Sequence, residues 1–244
     1  MEVIRSKDNV KIKSARKLLT KKGRKQAGSY LIEGFHLLQE AIGWSAELEE
    51  LFVSEEKIDQ LPAGLSEYLI VSNEVLASLS DAETPQGLVA VVKQPQISFP
   101  RAQKVLLLEN VQDPGNVGTM IRTADAAGFS AVLCLKGTAD IYSPKVVRSM
   151  QGSQFHLPVI DGLSLDEALP LLKDLTILTT TLSKDSISHR EVQADNFALI
   201  MGNEGAGVSE AAIEVADQLV HIEMPGHAES LNVAVAAGIL MFSL

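Results

Sequence analysis

Five side chains in this sequence are placed where chemistry could be done: Asn116, Arg122, Glu204, Ser230 and Asn232. They fall in three stretches, Asn110-Val-Gln-Asp-Pro-Gly-Asn-Val-Gly-Thr-Met-Ile-Arg122, Met201-Gly-Asn-Glu-Gly-Ala-Gly-Val-Ser209 and Met224-Pro-Gly-His-Ala-Glu-Ser-Leu-Asn232. Each stretch follows an apolar run that reads as a strand, and the carboxyl ends of strands are where parallel α/β sheets bind ligands. Three such loops imply one site with a cation, a carboxylate, a hydroxyl and two carboxamides converging on it, which suits an enzyme better than a passive module. Taken singly, each has a plainer reading. Arg122 could pair with Asp125 on a helix surface, Asn116, Ser230 and Asn232 could cap helices, and the glycines could serve turns alone.

Other chemistries fit poorly. The loop Gly202-Asn-Glu-Gly205-Ala-Gly207 reverses the spacing of a dinucleotide-binding turn and comes late in its domain. What remains is a backbone able to wrap a flat ligand, with Glu204 projecting from it. There is no Gly-x-Ser-x-Gly elbow, and the histidines His36, His156, His189, His221 and His227 lack metal-ligand spacing, so no metal is expected. Cys134, the single cysteine, lies in an apolar run and reads as a core residue.

The elements that must position these loops alternate in the second half. Strands are expected at Val105–Val111, Ala131–Leu135, Thr176–Leu182, Phe197–Met201 and Leu219–Ile222, with helices between them, a pattern of parallel strands covered on both faces. Val117, Met120, Ile121 and Ala124 give one intervening helix its apolar face, ended by Gly128. Ser164 and Glu167 form a capping box, and an Ala- and Val-rich helix over about 230–242 closes the chain. Before it, the proline-bearing stretch at 96–103 reads as a linker. Residues 1–95 then form a compact α/β domain, with a basic helix over about 11–26, strands at Tyr30–Ile32, Leu51–Val53, Tyr68–Val71 and Gly87–Val92, and helices near Phe35–Ile42 and Glu74–Leu79. Trp44 there reads as a partly buried core residue, with RNA stacking as the other possibility.

Charge is unevenly spread. The formal net charge is −10, yet ten of the 21 Lys and Arg fall within residues 1–30, a local +8 that leaves −18 on the rest. Lys11, Lys13, Arg16, Lys17, Lys21, Lys22, Arg24 and Lys25 are the candidate phosphate contacts, because a basic arm on an acidic body suits gripping a polyanion. The start of the chain has no apolar signal core, and the longest apolar stretch, Val233 to Phe242, is about half a membrane span. A cytoplasmic protein with no membrane partner is expected.

Jointly, the three loops resemble the motifs of the SpoU (TrmH-like) family of SPOUT RNA 2′-O-ribose methyltransferases. Asn116-x-Gly-x-x-x-Arg122 is similar to the first, Gly202-Asn-Glu-Gly205 to the second and Glu229-Ser-Leu-Asn-Val-Ala-Val-Ala-Ala237 to the third, with Ala234 where Ser is common. The resemblance covers residues 104–244. The first domain resembles the family's ribosomal-protein-like substrate-binding domain through Lys11-Ile-Lys13, Arg16-Lys-Leu18 and Tyr30-Leu-Ile-Glu-Gly34. It implies an α/β fold whose parallel sheet carries a C-terminal trefoil knot, an exception among folds. It implies S-adenosylmethionine bound by Leu182, Met201, Gly202, Gly205, Ile222, Met224, Gly226, Ser230 and Leu231, and a homodimer. Arg122 would be the main catalytic residue, with Asn116, Glu204, Ser230 and Asn232 around it and Glu204 holding Arg122 in place. The substrate would be RNA, with 23S ribosomal RNA favoured over transfer RNA; a non-catalytic RNA-binding protein of ribosome assembly is the alternative.

Overall fold

In the computed structural model, which describes residues 3–244, the chain divides by its contacts into two units. The first comprises residues up to 96 together with 142–155, and the second comprises 97–141 and 156–244.

The basic segment at the start is two helices, not one. Asn9 accepts the Lys11 N–H and caps α1 (Val10–Lys17), whose buried residues are Ile12 and Ala15. The chain then turns at Leu18–Thr20, where the Thr20 hydroxyl accepts the Gly23 N–H and starts α2 (Lys21–Ala27). Gly23 permits the tight turn, since a Cβ there would lie 1.9 Å from the Lys17 carbonyl oxygen. A helix cap inside a run of good helix formers thus overrides their propensity. There follow β1 (Ser29–Glu33), α3 (Phe35–Gly43), β2 (Leu48–Ser54), β3 (Leu69–Val71), α4 (Asn73–Ala77) and β4 (Leu88–Lys93). They form a four-stranded sheet in the order β1-β4-β2-β3, antiparallel except for the β2–β3 pair. Ile12, Leu18, Leu31, Phe52, Val75 and Leu76 make one core cluster of this unit.

The candidate RNA contacts are unequal. Arg24 is only 4% exposed and donates to the Leu18 carbonyl at 2.7 Å, so it fastens the helix turn and does not face solvent. That corrects its assignment as a phosphate contact: the α2 periodicity turns it inward where the chain needs a donor. Lys11 pairs with Glu50 and Lys13 with Asp8, each at 2.8 Å. Arg16, Lys17, Lys21, Lys22 and Lys25 are exposed and have no ion pair among the described residues. Trp44, at the end of α3, is 57% exposed and not part of a core.

The second unit begins with β5 (Lys104–Leu108), α5 (Pro114–Ala126) and β6 (Ala131–Leu135). The next helices are α6 (Pro144–Met150), which packs on β1 in the first unit, and α7 (Ser153–His156). From sequence, residues 142–155 fall inside the second domain; by contact they cluster with the first. The second unit resumes with β7 (Val159–Leu163), α8 (Leu165–Ala168), β8 (Thr176–Thr180), β9 (Ile187–Ser188), β10 (Phe197–Met201), α9 (Glu210–Glu214), β11 (Gln218–His221) and α10 (Val233–Ser243). The Ser164–Glu167 capping box at α8 is present on both sides.

All seven strands are parallel, in the order β7-β6-β5-β10-β8-β11-β9. The central strands are buried along their length, which is why Val105-Leu-Leu-Leu108 and Phe197–Met201 are unbroken apolar runs. β7 was hidden in the sequence because Asp161 and Gly162 interrupt its apolar pattern. Cys134 is buried in β6, where burial pushes its thiol well up from the ordinary value, in keeping with a core role. The helix α10 packs along α5, its small side chains allowing the approach. Among the described residues no helix is long and apolar enough to cross a membrane.

Removing Arg24 leaves a buried carbonyl without its donor. Arg24→Ala is therefore expected to destabilise the protein by about 1–3 kcal/mol, while Lys25→Ala stays within about 0.5 kcal/mol. Urea midpoints of the two variants decide this; equal midpoints would return Arg24 to the surface cations.

Candidate active site

The three loops leave β5, β10 and β11 at their carboxyl ends, and side chains tie them together. On leaving β5 the backbone takes a left-handed turn at Asn110 (φ 56°), whose carbonyl accepts from Asn203 Nδ2 at 2.9 Å. Asp113 then caps α5, accepting the Asn116 N–H at 2.8 Å, with Pro114 in the first turn. The capping role that Asn116 could have played thus belongs to Asp113, three residues earlier. Proline is favoured at the first helical position because it has no N–H to leave unpaired, and this sets the helix start.

Freed from capping, Asn116 links the other two loops. Its Nδ2 donates to Glu204 Oε1 at 3.1 Å, and its Oδ1 accepts from Asn232 Nδ2, also at 3.1 Å. Glu204 further accepts the backbone N–H groups of Gln112 (3.2 Å) and Asp113 (3.0 Å). Asn232 uses its own oxygen to cap α10, accepting the N–H groups of Ala234 and Val235. One carboxylate and two carboxamides therefore bind all three loops in a chain.

The second loop is shaped to present Glu204. Asn203 and Gly207 exchange backbone hydrogen bonds at 2.8 and 3.0 Å, closing a small ring. The Asn203 side chain fills it, accepting the N–H groups of Gly205 and Ala206 at 2.9 Å each. Gly202 is required by this closure, because a Cβ there would fall 2.3 Å from the Gly207 backbone carbon. At the far side Glu109 accepts both the N–H and the hydroxyl of Ser209, the cap of α9. Glu109 and Asn203 were not singled out from sequence; the signal was their position, one at a strand end and one beside Glu204.

Against this ring lies a cavity of about 490 Å³, a size typical of small-molecule sites. Its wall includes Leu182, Met201, Gly202, Gly205, Ile222, Met224, Ser230 and Leu231, and Glu204 reaches it too. Gly226 is exposed and is not part of the wall. Arg122 stands apart from the hydrogen-bonded chain: it is exposed on α5 and has no hydrogen bond or ion pair among the described residues. Asp125 pairs with His156 at 2.8 Å instead of with Arg122. The expectation that Glu204 holds Arg122 in place also fails, since the Glu204 oxygens are committed to the first loop.

Burial pushes the Glu204 carboxyl up, but the hydrogen bonds from Asp113, Asn116 and Gln112 outweigh it and hold the group below the ordinary value of 4.5. A depressed carboxyl stabilises the fold fully above its unfolded value and loses that contribution as pH falls through its folded value. Glu204→Gln is accordingly expected to melt below the parent at pH 7, with the gap closing as pH drops beneath 4.5. Melting curves across pH test this; a gap unchanged in acid would show that ionised Glu204 does not hold the loops.

Known proteins match this arrangement over the whole chain. The model of the SpoU rRNA Methylase family matches residues 103–242, and that of the MRM3-like substrate binding domain matches residues 9–90. The 23S rRNA (guanosine(2553)-2′-O)-methyltransferase RlmP of Bacillus subtilis is 43% identical, covering 100% of this chain and 99% of that protein. An AdoMet-bound rRNA methyltransferase from Sinorhizobium meliloti superposes with a TM-score of 0.87 at 29% identity, over 99% of this chain and 96% of that one. The SpoU methyltransferase AviRb from Streptomyces viridochromogenes, in complex with AdoMet, gives 0.86 at 27% identity, over 96% of both chains. This chain belongs to the SpoU rRNA methylase family.

Proposed function

We propose that this protein transfers a methyl group from S-adenosylmethionine to a ribose 2′-hydroxyl of RNA, with large-subunit 23S ribosomal RNA as substrate. The observation that carries this reading is the cavity between the second and third loops and the end of β8, two of whose walls are tied to the first loop through Glu204 and Asn232. Its wall suits the cofactor: Leu182, Met201, Ile222, Met224 and Leu231 are apolar surfaces for its uncharged parts, and Gly202 and Gly205 bare their backbone. Bound there, the cofactor supplies an electrophilic methyl on a sulfonium. The choice of 23S RNA draws on the relative from Bacillus subtilis, which resembles this chain from end to end.

The chain's own groups then have separable tasks. The hydrogen bonds among Glu204, Asn116 and Asn232 fix the loops, so that nucleophile and methyl can be held in line, where much of the rate arises. Arg122 is no general base, because guanidinium stays protonated at ordinary pH. Exposed and with no ion pair among the described residues, it is free to grip the target phosphate in two-pronged fashion and to stabilise the developing alkoxide. Ser230, in the cavity wall, orients the substrate ribose. The target nucleotide is unstacked, since paired RNA hides its edges.

Arg16, Lys17, Lys21, Lys22 and Lys25 supply sequence-blind attraction to phosphates, and Lys11 and Lys13 add to it from within their surface ion pairs. Val235, Ile239 and Phe242 are exposed along one stripe of α10, the apolar face on which we place a homodimer contact. The C-terminal trefoil knot and a cytoplasmic location belong to the same reading.

Labelled methyl transfer to total RNA from a strain lacking the protein tests it. Label is expected in large ribosomal RNA. Arg122→Ala should transfer at least about 10²-fold more slowly with cofactor affinity unchanged. Lost cofactor affinity would move Arg122 into the cofactor site, and label confined to transfer RNA would overturn the substrate. Neither label nor cofactor binding by the parent would overturn the methyltransferase.

A further inference from the structure

We infer that a second pocket, on the first unit, receives an unstacked base of the bound RNA against Trp44; this rests on RNA being the substrate. The pocket has a volume of about 430 Å³ and is lined by Tyr30, Trp44, Val92, Lys93 and Pro95 among others. Trp44 is the only tryptophan of the chain, and 57% of it is exposed at the end of α3. Large aromatic surface left in water contributes little to folding and is characteristic of binding sites. Tyr30 is 1% exposed and packs on Tyr142 with ring centroids 4.8 Å apart, so the pocket has a rigid floor.

The pocket wall carries Lys93 and Glu47, and further cations lie on α2, whose end is fastened to the rim. The Gln94 N–H, at the pocket rim, donates to the Gly28 carbonyl at 2.7 Å, which fastens the rim to the end of α2. That helix carries the exposed Lys21, Lys22 and Lys25. Lys93 adds a cation inside the pocket, in a solvent-exposed pair with Glu47 at 2.9 Å that contributes little to stability and is easily exchanged. An aromatic platform beside a row of cations is the arrangement that holds single-stranded nucleic acid, the base stacking while the cations follow the backbone. A peptide or a purely anionic ligand would use only one of the two.

The full-length protein provides its own probe, because its tryptophan emission comes from Trp44 alone. Labelled single-stranded oligoadenylate is titrated against it, following anisotropy and Trp44 fluorescence together, with inorganic polyphosphate as the baseless polyanion. Oligoadenylate is expected to quench Trp44 in step with binding, and polyphosphate to bind without quenching. Trp44→Ala should weaken oligoadenylate binding about tenfold, Trp44→Phe should restore most of it, and polyphosphate affinity should not move in either variant. Oligoadenylate bound with unchanged emission, or equally well by Trp44→Ala, would overturn the pocket while leaving RNA as substrate. Equal quenching by polyphosphate would also overturn it. No anisotropy change with the parent protein would sink the RNA reading and the pocket with it.

Discussion

The carboxylate of Glu204 is the group on which the site depends. It accepts the N–H groups of Gln112 and Asp113 and the carboxamide of Asn116, three donors that have no strand or helix partner to turn to. Each such bond is worth about 1 kcal/mol net, and more when the acceptor is charged. Their effect is larger than that sum suggests, because one rigid acceptor fixes two backbone groups and a side chain at once. Asn116, so held, can hold Asn232, and Asn232 starts α10. The residues on either side of Asn232, Leu231 and Val233, are in the cavity wall. A single ionised group on the second loop thus sets the position of the third loop through a residue of the first.

That network can be precise because its base is stiff. Of the strands beneath it, β5 and β10 are buried along their length and β11 is partly buried, all three held in parallel ladders that fix the departure points. In the loops above, Gly202 stands where the backbone closes on itself. Arg122 is left out of the network, and this suits the phosphate-gripping task proposed for it. A guanidinium already paired within the protein would have to give up that partner before gripping a phosphate.

The sequence made the three loops legible for a physical reason: buried parallel strands are unbroken apolar runs, and the polar residues where they stop are conspicuous. The strand end at Met201 could be read from that alone, whereas the end expected at Val111 overran β5, which stops at Leu108. Capping was harder, since Asp113 and Asn116 are both good caps and only the proline after Asp113 decides between them. Burial of single charged residues was not legible at all. Arg24 looks like its neighbours in a basic run, yet the turn at Leu18–Thr20 rotates it inward to meet a carbonyl. Trp44 was misjudged in the opposite sense, because nothing local shows that more than half of its surface stays in water. The clustering of residues 142–155 with the first unit is likewise set by tertiary contacts that no local pattern carries.

The relation between loops can be measured directly with a double-mutant cycle on S-adenosylmethionine affinity. Asn116→Ala removes the middle of the chain, and Asn232→Asp keeps the helix cap while losing the donor to Asn116. If the loops act as one linked unit, the double variant should lose little more affinity than the worse single variant, a coupling of about 0.5–3 kcal/mol. Losses that simply add would mean that each loop holds its own position and that the hydrogen-bonded chain through Glu204, Asn116 and Asn232 does not organise the site.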